Sequence, residues 1–257
     1  MIPAHSLDRE FEGRVAFVTG AAAGIGRATA LMFAQRGAAV ACVDIAEPGC
    51  AETVSLIRNK NGAGEAIIAD LSTPEGASEA VARALGVFGH IDHAFNNAGI
   101  TGSHGEPFEE DGFRHTLAVN LEGVAWCMKH EIAHMREHKG GTIVNTASIA
   151  GISGAVGAFD YTAAKHGVVG LTGAAARRYG SEGIRVNAVC PGLIETAMTE
   201  EIEQNPAIRE QVFARLSPIT GQLGRPEDIA EAVLFLSSDR ASFIHGIAMP
   251  VDGGYSI

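Results

Sequence analysis

Tyr161 and Lys165 stand four residues apart in a segment of helical character, 160–181, so both side chains leave one face of that helix. A phenol beside an ammonium group is an acid/base device, because the cation favours the phenolate. Lowering a phenol from about 10 to near 7 takes about 4 kcal/mol of differential stabilisation. Such a group takes a proton from an alcohol in one direction and returns it to a carbonyl oxygen in the other. A second device lies at Thr19-Gly20-Ala21-Ala22-Ala23-Gly24-Ile25-Gly26, between an apolar strand and an apolar helix. Gly20, Gly24 and Gly26 permit a tight turn that brings the helix-start N–H groups, Ile25 among them, against a pyrophosphate. The spacing is G-x-x-x-G-x-G, not the general dinucleotide pattern G-x-G-x-x-G. Asp44 follows Gly26 by 18 residues, at the end of the second strand. A carboxylate there accepts hydrogen bonds from the adenosine ribose and repels a 2′-phosphate. No Lys or Arg stands at Ala23 or Ile45 to neutralise that phosphate, so NAD(H) is favoured over NADP(H).

A third pattern competes with these. His130-Glu131-Ile132-Ala133-His134 matches H-E-x-x-H, a zinc-binding helix motif, and His138 continues the row. Leu121, Ala125, Met128, Ile132 and Met135 form the apolar stripe of this helix, which leaves the histidines nearly opposite, on a solvated or subunit-facing surface. A catalytic zinc helix turns its ligands toward a cleft. No metal is expected.

The elements that must position these groups follow from periodicity. Strand-like runs at 14–19, 38–43, 65–69, 91–95, 142–145, 184–189 and 246–251 alternate with helical segments at 24–36, 47–60, 74–88, 107–139, 160–181 and 226–237. Repeated β-α-β units of this kind form a parallel sheet with helices on both faces. The expected fold is one α/β domain over residues 1–257, a Rossmann-type doubly wound fold with a seven-stranded parallel sheet. A charged segment at about 195–218 breaks the rhythm and is expected to be a substrate lid.

Composition limits the partners. The net charge is −11, with 19 basic against 30 acidic residues, which argues against nucleic acid and anionic membrane surfaces. The four cysteines show no C-x-x-C spacing, and the first residues lack a basic and apolar leader. A cytoplasmic protein is expected. Glycine is abundant, 32 residues, without a collagen-like period, so it serves local backbone geometry.

Across residues 14 to 254 the chain resembles the short-chain dehydrogenase/reductase family. The matching pieces are the Thr19-to-Gly26 loop, Asp70-Leu71, Asn96-Asn97-Ala98-Gly99, Asn120, Ser148, Tyr161-x-x-x-Lys165, Asn187, Pro191-Gly192-x-Ile194-x-Thr196 and Val251-Asp252-Gly253-Gly254. The resemblance implies hydride transfer between NAD and a secondary alcohol or ketone. It makes Asn120, Ser148, Tyr161 and Lys165 the catalytic residues. Ser148 would hold the substrate oxygen near Tyr161, Lys165 would also bind the nicotinamide ribose, and Asn120 would hold a water that relays the proton. The positive nicotinamide ring would add to the effect of Lys165 on the phenol. Asp70 and Leu71 would flank adenine, Asn97 and Gly99 the ribose, and Ile194 and Thr196 the carboxamide, with Pro191 and Gly192 completing the cofactor contacts.

The expected pocket wall includes Ile100, Ile149, Ala155, Val156, Phe159, Leu193, Met198 and Phe213, with Ser148, Tyr161, Phe159 and Leu193 touching substrate. No converging pair of basic residues is evident, so the substrate is expected to be a neutral secondary alcohol or ketone, with cyclic ones among the candidates. One alternative is a 3-oxoacyl-carrier-protein reductase. Such enzymes usually take NADPH, which Asp44 disfavours, and dock an acidic carrier, for which Lys139 is suited and Glu182 is not. Outside enzymology, a dinucleotide-sensing or interaction protein would need the glycine loop but not the full catalytic set. The resemblance also implies a homotetramer, with a dimer as the fallback, built on the helices at 107–139 and 160–181.

Overall fold

The computed structural model describes residues 9–102, 108–138, 140–154, 159–200 and 223–256. Its strands are β1 (Val15–Thr19), β2 (Ala39–Asp44), β3 (Gly64–Ile68), β4 (His93–Asn96), β5 (Gly141–Thr146), β6 (Ile184–Pro191) and β7 (Ala248–Val251). They form one sheet in the order β3-β2-β1-β4-β5-β6-β7, every pair parallel. The winding reverses between β1 and β4. In such sheets ligands bind beyond the carboxyl ends of the strands at the reversal. Thr19, Asp44, Asn96, Thr146 and Pro191 are the last residues of their strands, so the chemistry-bearing segments emerge on that one edge.

The helices are α1 (Gly24–Gln35), α2 (Glu47–Arg58), α3 (Pro74–Phe88), α4 (Glu110–Leu117), α5 (Gly123–Glu137), α6 (Phe159–Tyr179) and α7 (Pro226–Ser237). Alternate residues of each strand feed two cores. Phe17, Ala41, Val43 and Ile67 pack with α3, α5 and α6, whereas Ala16, Val18, Val40 and Cys42 pack with α1, α2 and α7. Asn187 ties β6 to the segment before β7, donating to the Ile244 carbonyl at 3.0 Å and accepting from the Ile247 N–H at 3.2 Å.

The long helix expected over 107–139 is divided. A π turn, Ala118–Glu122, separates α4 from α5, and the Gly123 N–H bonds the Ala118 carbonyl. Gly123 is required there, because a Cβ would lie 2.7 Å from the Leu71 carbonyl oxygen. The expected apolar stripe is also corrected. The buried face of α5 comprises Val124, Cys127, Met128, Glu131, Ile132, His134 and Met135, whereas Leu121 and Ala125 line an open groove with Trp126, Gly167, Leu171 and Ala174. Of the expected lid, 201–218 lies outside the described residues, as do Ala155, Val156 and Phe213. The described part, 195–200, carries a turn in which the Thr199 hydroxyl donates to the Ile194 carbonyl at 2.6 Å.

Glu131 is fully buried, and its Oε2 accepts from Asn96 Nδ2 at 3.0 Å. The same amide bonds Asn145 Oδ1 at 3.0 Å, and Asn145 donates to Thr172 at 3.0 Å. Burial pushes the Glu131 carboxyl up to about 8 from 4.5, partly offset by the Asn96 bond. A carboxyl whose folded pKa is raised stabilises the fold most below its unfolded value, and that contribution is lost as pH rises from about 4.5 through 8. Glu131→Gln keeps the shape without the titration. We expect it to be more stable than the native chain by about 3 kcal/mol at pH 7 and close to it at pH 4.5. Urea unfolding at both pH values checks this, and an equal effect at the two would refute it.

Candidate active site

The glycine loop joins β1 to α1 in a closed form. A Cβ on Gly26 would lie 2.0 Å from the Gly20 carbonyl oxygen, and Gly20 takes a left-handed φ of 67°. Thr19 secures the loop to the neighbouring strand end, its Oγ accepting from the N–H groups of Asn97 at 2.8 Å and Ala98 at 2.9 Å. Gly24 faces Thr196, whose Cγ2 would be 3.1 Å from a Cβ there. The α1 N-terminus has no side-chain cap and no acid in its first turn, whereas α3 is capped by Thr73 and α4 by Glu109. Free N–H groups at a glycine-lined helix start fit a pyrophosphate.

Asp44 is held beside this loop. Its Oδ2 accepts from the Ala22 N–H and its Oδ1 from the Ala46 N–H, each at 2.9 Å. Each oxygen retains acceptor capacity for a ribose hydroxyl. Asp70 lies in the turn after β3, where the N–H and hydroxyl of Ser72 hold its carboxyl below the usual range. Leu71 is buried in the core on the α3 side. Pro191 closes β6, and Gly192 packs against Asp252, which a Cβ would meet at 2.9 Å. Ile194 is buried and bridges to Gly224, with Leu193 and Thr196 on either side of it.

The four expected catalytic residues come together at the ends of β4 and β5. Lys165 is 3% exposed, donates from Nζ to the Thr146 carbonyl at 2.8 Å and lies 5.5 Å from the centre of the Tyr161 ring. A Cβ on Gly99 would sit 3.0 Å from Asn120 Oδ1 and 3.7 Å from Lys165 Nζ, so all three meet across this glycine. Asn120 is turned inward by the π turn. Its carboxamide pairs with the Ile100 backbone, accepting from N–H at 2.8 Å and donating to the carbonyl at 2.9 Å. Ser148 caps the short turn Ile149–Gly151 through the Ala150 N–H at 3.1 Å, and that turn abuts α6 where a Cβ on Gly151 would lie 2.6 Å from the Lys165 carbonyl oxygen.

Burial dominates the titration of this cluster in the protein alone. Burial pulls Lys165 down to about 8, leaving it mostly charged at pH 7. Burial pushes the Tyr161 phenol up, and a hydrogen bond with Ser148 only opposes this. In the protein alone, desolvation is the larger influence on the phenol.

Phe159, two residues before Tyr161, is half-exposed and packs on Phe108 with ring centres 4.8 Å apart. Phe108 has a left-handed φ of 66°, uncommon for a residue with a side chain. Four contributors escaped the sequence reading: the Thr146 carbonyl, the Ile100 backbone, Phe108 and Asp160. Only Asp160 left a signal, as a charge beside Tyr161.

The H-E-x-x-H row is only partly a solvated face: His138 is exposed and His130 partly so, whereas Glu131 and His134 are buried. Glu131 points to Asn96, and the His134 Nε2 accepts from the Ile91 N–H at 3.1 Å, which turns both away from a common ligand position. His138 stacks on His134 with ring centres 3.9 Å apart.

A phosphate cradle at the reversal of a doubly wound sheet, with a half-buried tyrosine and a buried ammonium beside it, defines a dinucleotide-dependent oxidoreductase. A family model described as Enoyl-(Acyl carrier protein) reductase matches residues 20–256. Cyclohexanol dehydrogenase of Acinetobacter sp. (strain SE19) is 42% identical over 252 residues, 97% of this chain and 98% of its own. Cis-4-hydroxycyclohexanecarboxylate dehydrogenase of Sinomonas cyclohexanicum is 42% identical over 97% of this chain and 99% of its own. The crystal structure of levodione reductase superposes with a TM-score of 0.90 at 37% identity, covering 96% of this chain and 98% of that one. The chain belongs to the short-chain dehydrogenase/reductase family, whose members use an NAD(P) nucleotide.

Proposed function

We propose that this protein is an NAD(H)-dependent dehydrogenase that interconverts a neutral cyclic secondary alcohol and its ketone, with Tyr161 as general base and acid. The observation that carries the reading is the meeting of Ser148, Tyr161, Lys165 and Asn120 at one edge of the sheet, beside a glycine cradle with Asp44 at its rim. The names of relatives that act on cyclohexane rings support the substrate class, as does the exposed aromatic face of Phe108 and Phe159.

The bound cofactor supplies the hydride acceptor or donor and, when oxidised, a positive ring. The chain's residues do the rest. Gly20, Gly24, Ile25 and Gly26 hold the pyrophosphate, Asp44 the adenosine ribose, Asp70 and Leu71 the adenine side, and Asn97, Gly99 and Lys165 the second ribose. Pro191, Gly192, Ile194 and Thr196 hold the carboxamide end. Ser148 fixes the substrate oxygen against the Tyr161 hydroxyl, Phe159 and Leu193 bound the substrate, and Asn120 leads the proton outward through a water. Residues 195–218 contribute to substrate selection within a single catalytic domain.

A carrier-protein reductase is the weaker reading, because Arg136 on α5 is already paired with Glu182 and Asp44 opposes NADPH. The groove of Leu121, Ala125, Trp126, Gly167, Leu171 and Ala174 supports a homotetramer built on α5 and α6. Four free thiols fit a cytoplasmic location. The test is a panel of cyclic and acyclic secondary alcohols and ketones, followed by NADH absorbance with NADP(H) in parallel. Turnover is expected with cyclic alcohols and NAD, and reaction with charged substrates alone would sink the proposal.

A further inference from the structure

We infer that Asp160, held by Thr116, is the positioning residue for the Tyr161 phenol. Asp160 lies in the first turn of α6, immediately before Tyr161, and is 3% exposed. Its Oδ1 accepts from the Tyr161 N–H at 2.8 Å, and its Oδ2 accepts from the Thr116 hydroxyl at 2.8 Å. Thr116 is the one buried residue of α4, at 1% exposure. The carboxylate therefore connects the backbone of the acid/base residue to a different helix.

The segment leaving β4 closes over the same carboxylate. A Cβ on Gly102 would lie 2.4 Å from Asp160 Oδ1 and 3.1 Å from Tyr161 Cβ, so only glycine lets this segment approach so closely. Asn120 follows Thr116 by four residues and grips the Ile100 backbone through two hydrogen bonds. Two polar clamps thus run along α4 and the π turn, one on the start of α6 and one on the segment after β4. Tyr161 stands between them.

An acid in the first turn of a helix ordinarily faces water and complements the helix dipole. Asp160 does neither in the ordinary way, because it is buried and spends its oxygens on a neighbouring helix and on the amide of the residue it precedes. A buried carboxylate is costly unless its hydrogen bonds are made, so the Thr116 contact and the fixed amide of Tyr161 depend on each other. Loss of the clamp leaves every reacting group present and lets the first turn of α6 shift.

This inference rests on the reading of Tyr161 as the acid/base group. The experiment compares Asp160→Ala, Thr116→Val, their double variant and Asp160→Asn with Tyr161→Phe, measuring kcat and KM for the best cyclic alcohol of the panel and NADH affinity by fluorescence. Asp160→Ala and Thr116→Val are each expected to lower kcat about 100-fold, with KM and NADH affinity changed less than about threefold. The double variant is expected to be no worse than either single one. Asn at 160 accepts from the Tyr161 N–H and donates to Thr116 Oγ1, and is expected to recover kcat to within about tenfold of native.

The inference is overturned if both single variants keep native kcat, if their losses multiply in the double variant, or if NADH affinity falls in step with kcat. Where Asp160→Ala does not fold, Thr116→Val and Asp160→Asn decide by the same criteria. An active Tyr161→Phe defeats the acid/base reading itself. An inactive Tyr161→Phe beside native-like Asp160→Ala and Thr116→Val defeats only the role of Asp160.

Discussion

Phenylalanine in place of Tyr161 is expected to lower kcat about a thousandfold while leaving NADH affinity at its native value. The substitution removes one hydroxyl from a ring whose packing stays. Lys165 keeps its bond to the Thr146 carbonyl, and the ring beneath its ammonium remains. What is lost is the hydroxyl proposed to exchange a proton with the substrate oxygen. Burial raises the phenol in the protein alone, and a bound oxidised cofactor would add a positive charge that favours the phenolate. Steady-state kinetics and NADH fluorescence on one preparation check the prediction, and kcat within tenfold of native would remove Tyr161 from its role.

The second large effect concerns the end of β2. Asp44→Ser combined with Ile45→Arg is expected to lower kcat/KM with NAD about 100-fold, the scale set by a lost hydrogen bond to a charged group, and to raise it with NADP by a similar factor. Asp44 repels a 2′-phosphate, whereas Arg at exposed position 45 offers a bidentate partner for one. Parallel assays with both cofactors give the ratio directly. An unchanged ratio would place the discrimination elsewhere.

The parts of this fold written in simple periods were legible. Strand ends and helix starts fall within a few residues of the expected positions, because apolar runs of strand length separated by helical segments leave few arrangements beside a parallel sheet. Tyr161, Lys165 and the glycine loop were legible for another reason: their residue types and spacing already state the chemistry. The misread helix followed α5, which carries two apolar sectors, one on the sheet and one in the groove with α6. A stripe drawn through Leu121 and Ala125 mixes them, and the π turn adds a residue that rotates what precedes it.

Polar burial was the other blind spot. Glu131, His134 and Asp160 look like surface residues by type, and the distant partners Asn96, Ile91 and Thr116 help to make their burial tolerable. Partners separated by more than 30 residues leave no local mark in the sequence. Residue spacing reports the charge near Tyr161 but not the burial that raises its phenol before any cofactor is bound.

The contact between positions 26 and 20 has a consequence for how such a protein changes over generations. With 2.0 Å between a Cβ at Gly26 and the Gly20 oxygen, even alanine must displace the loop, so the proposed pyrophosphate socket tolerates no small steps. Position 45 at the rim has no such constraint, since Ile45 is exposed. A lineage drifting from one nucleotide pool to another would therefore vary at the rim while the socket stayed frozen.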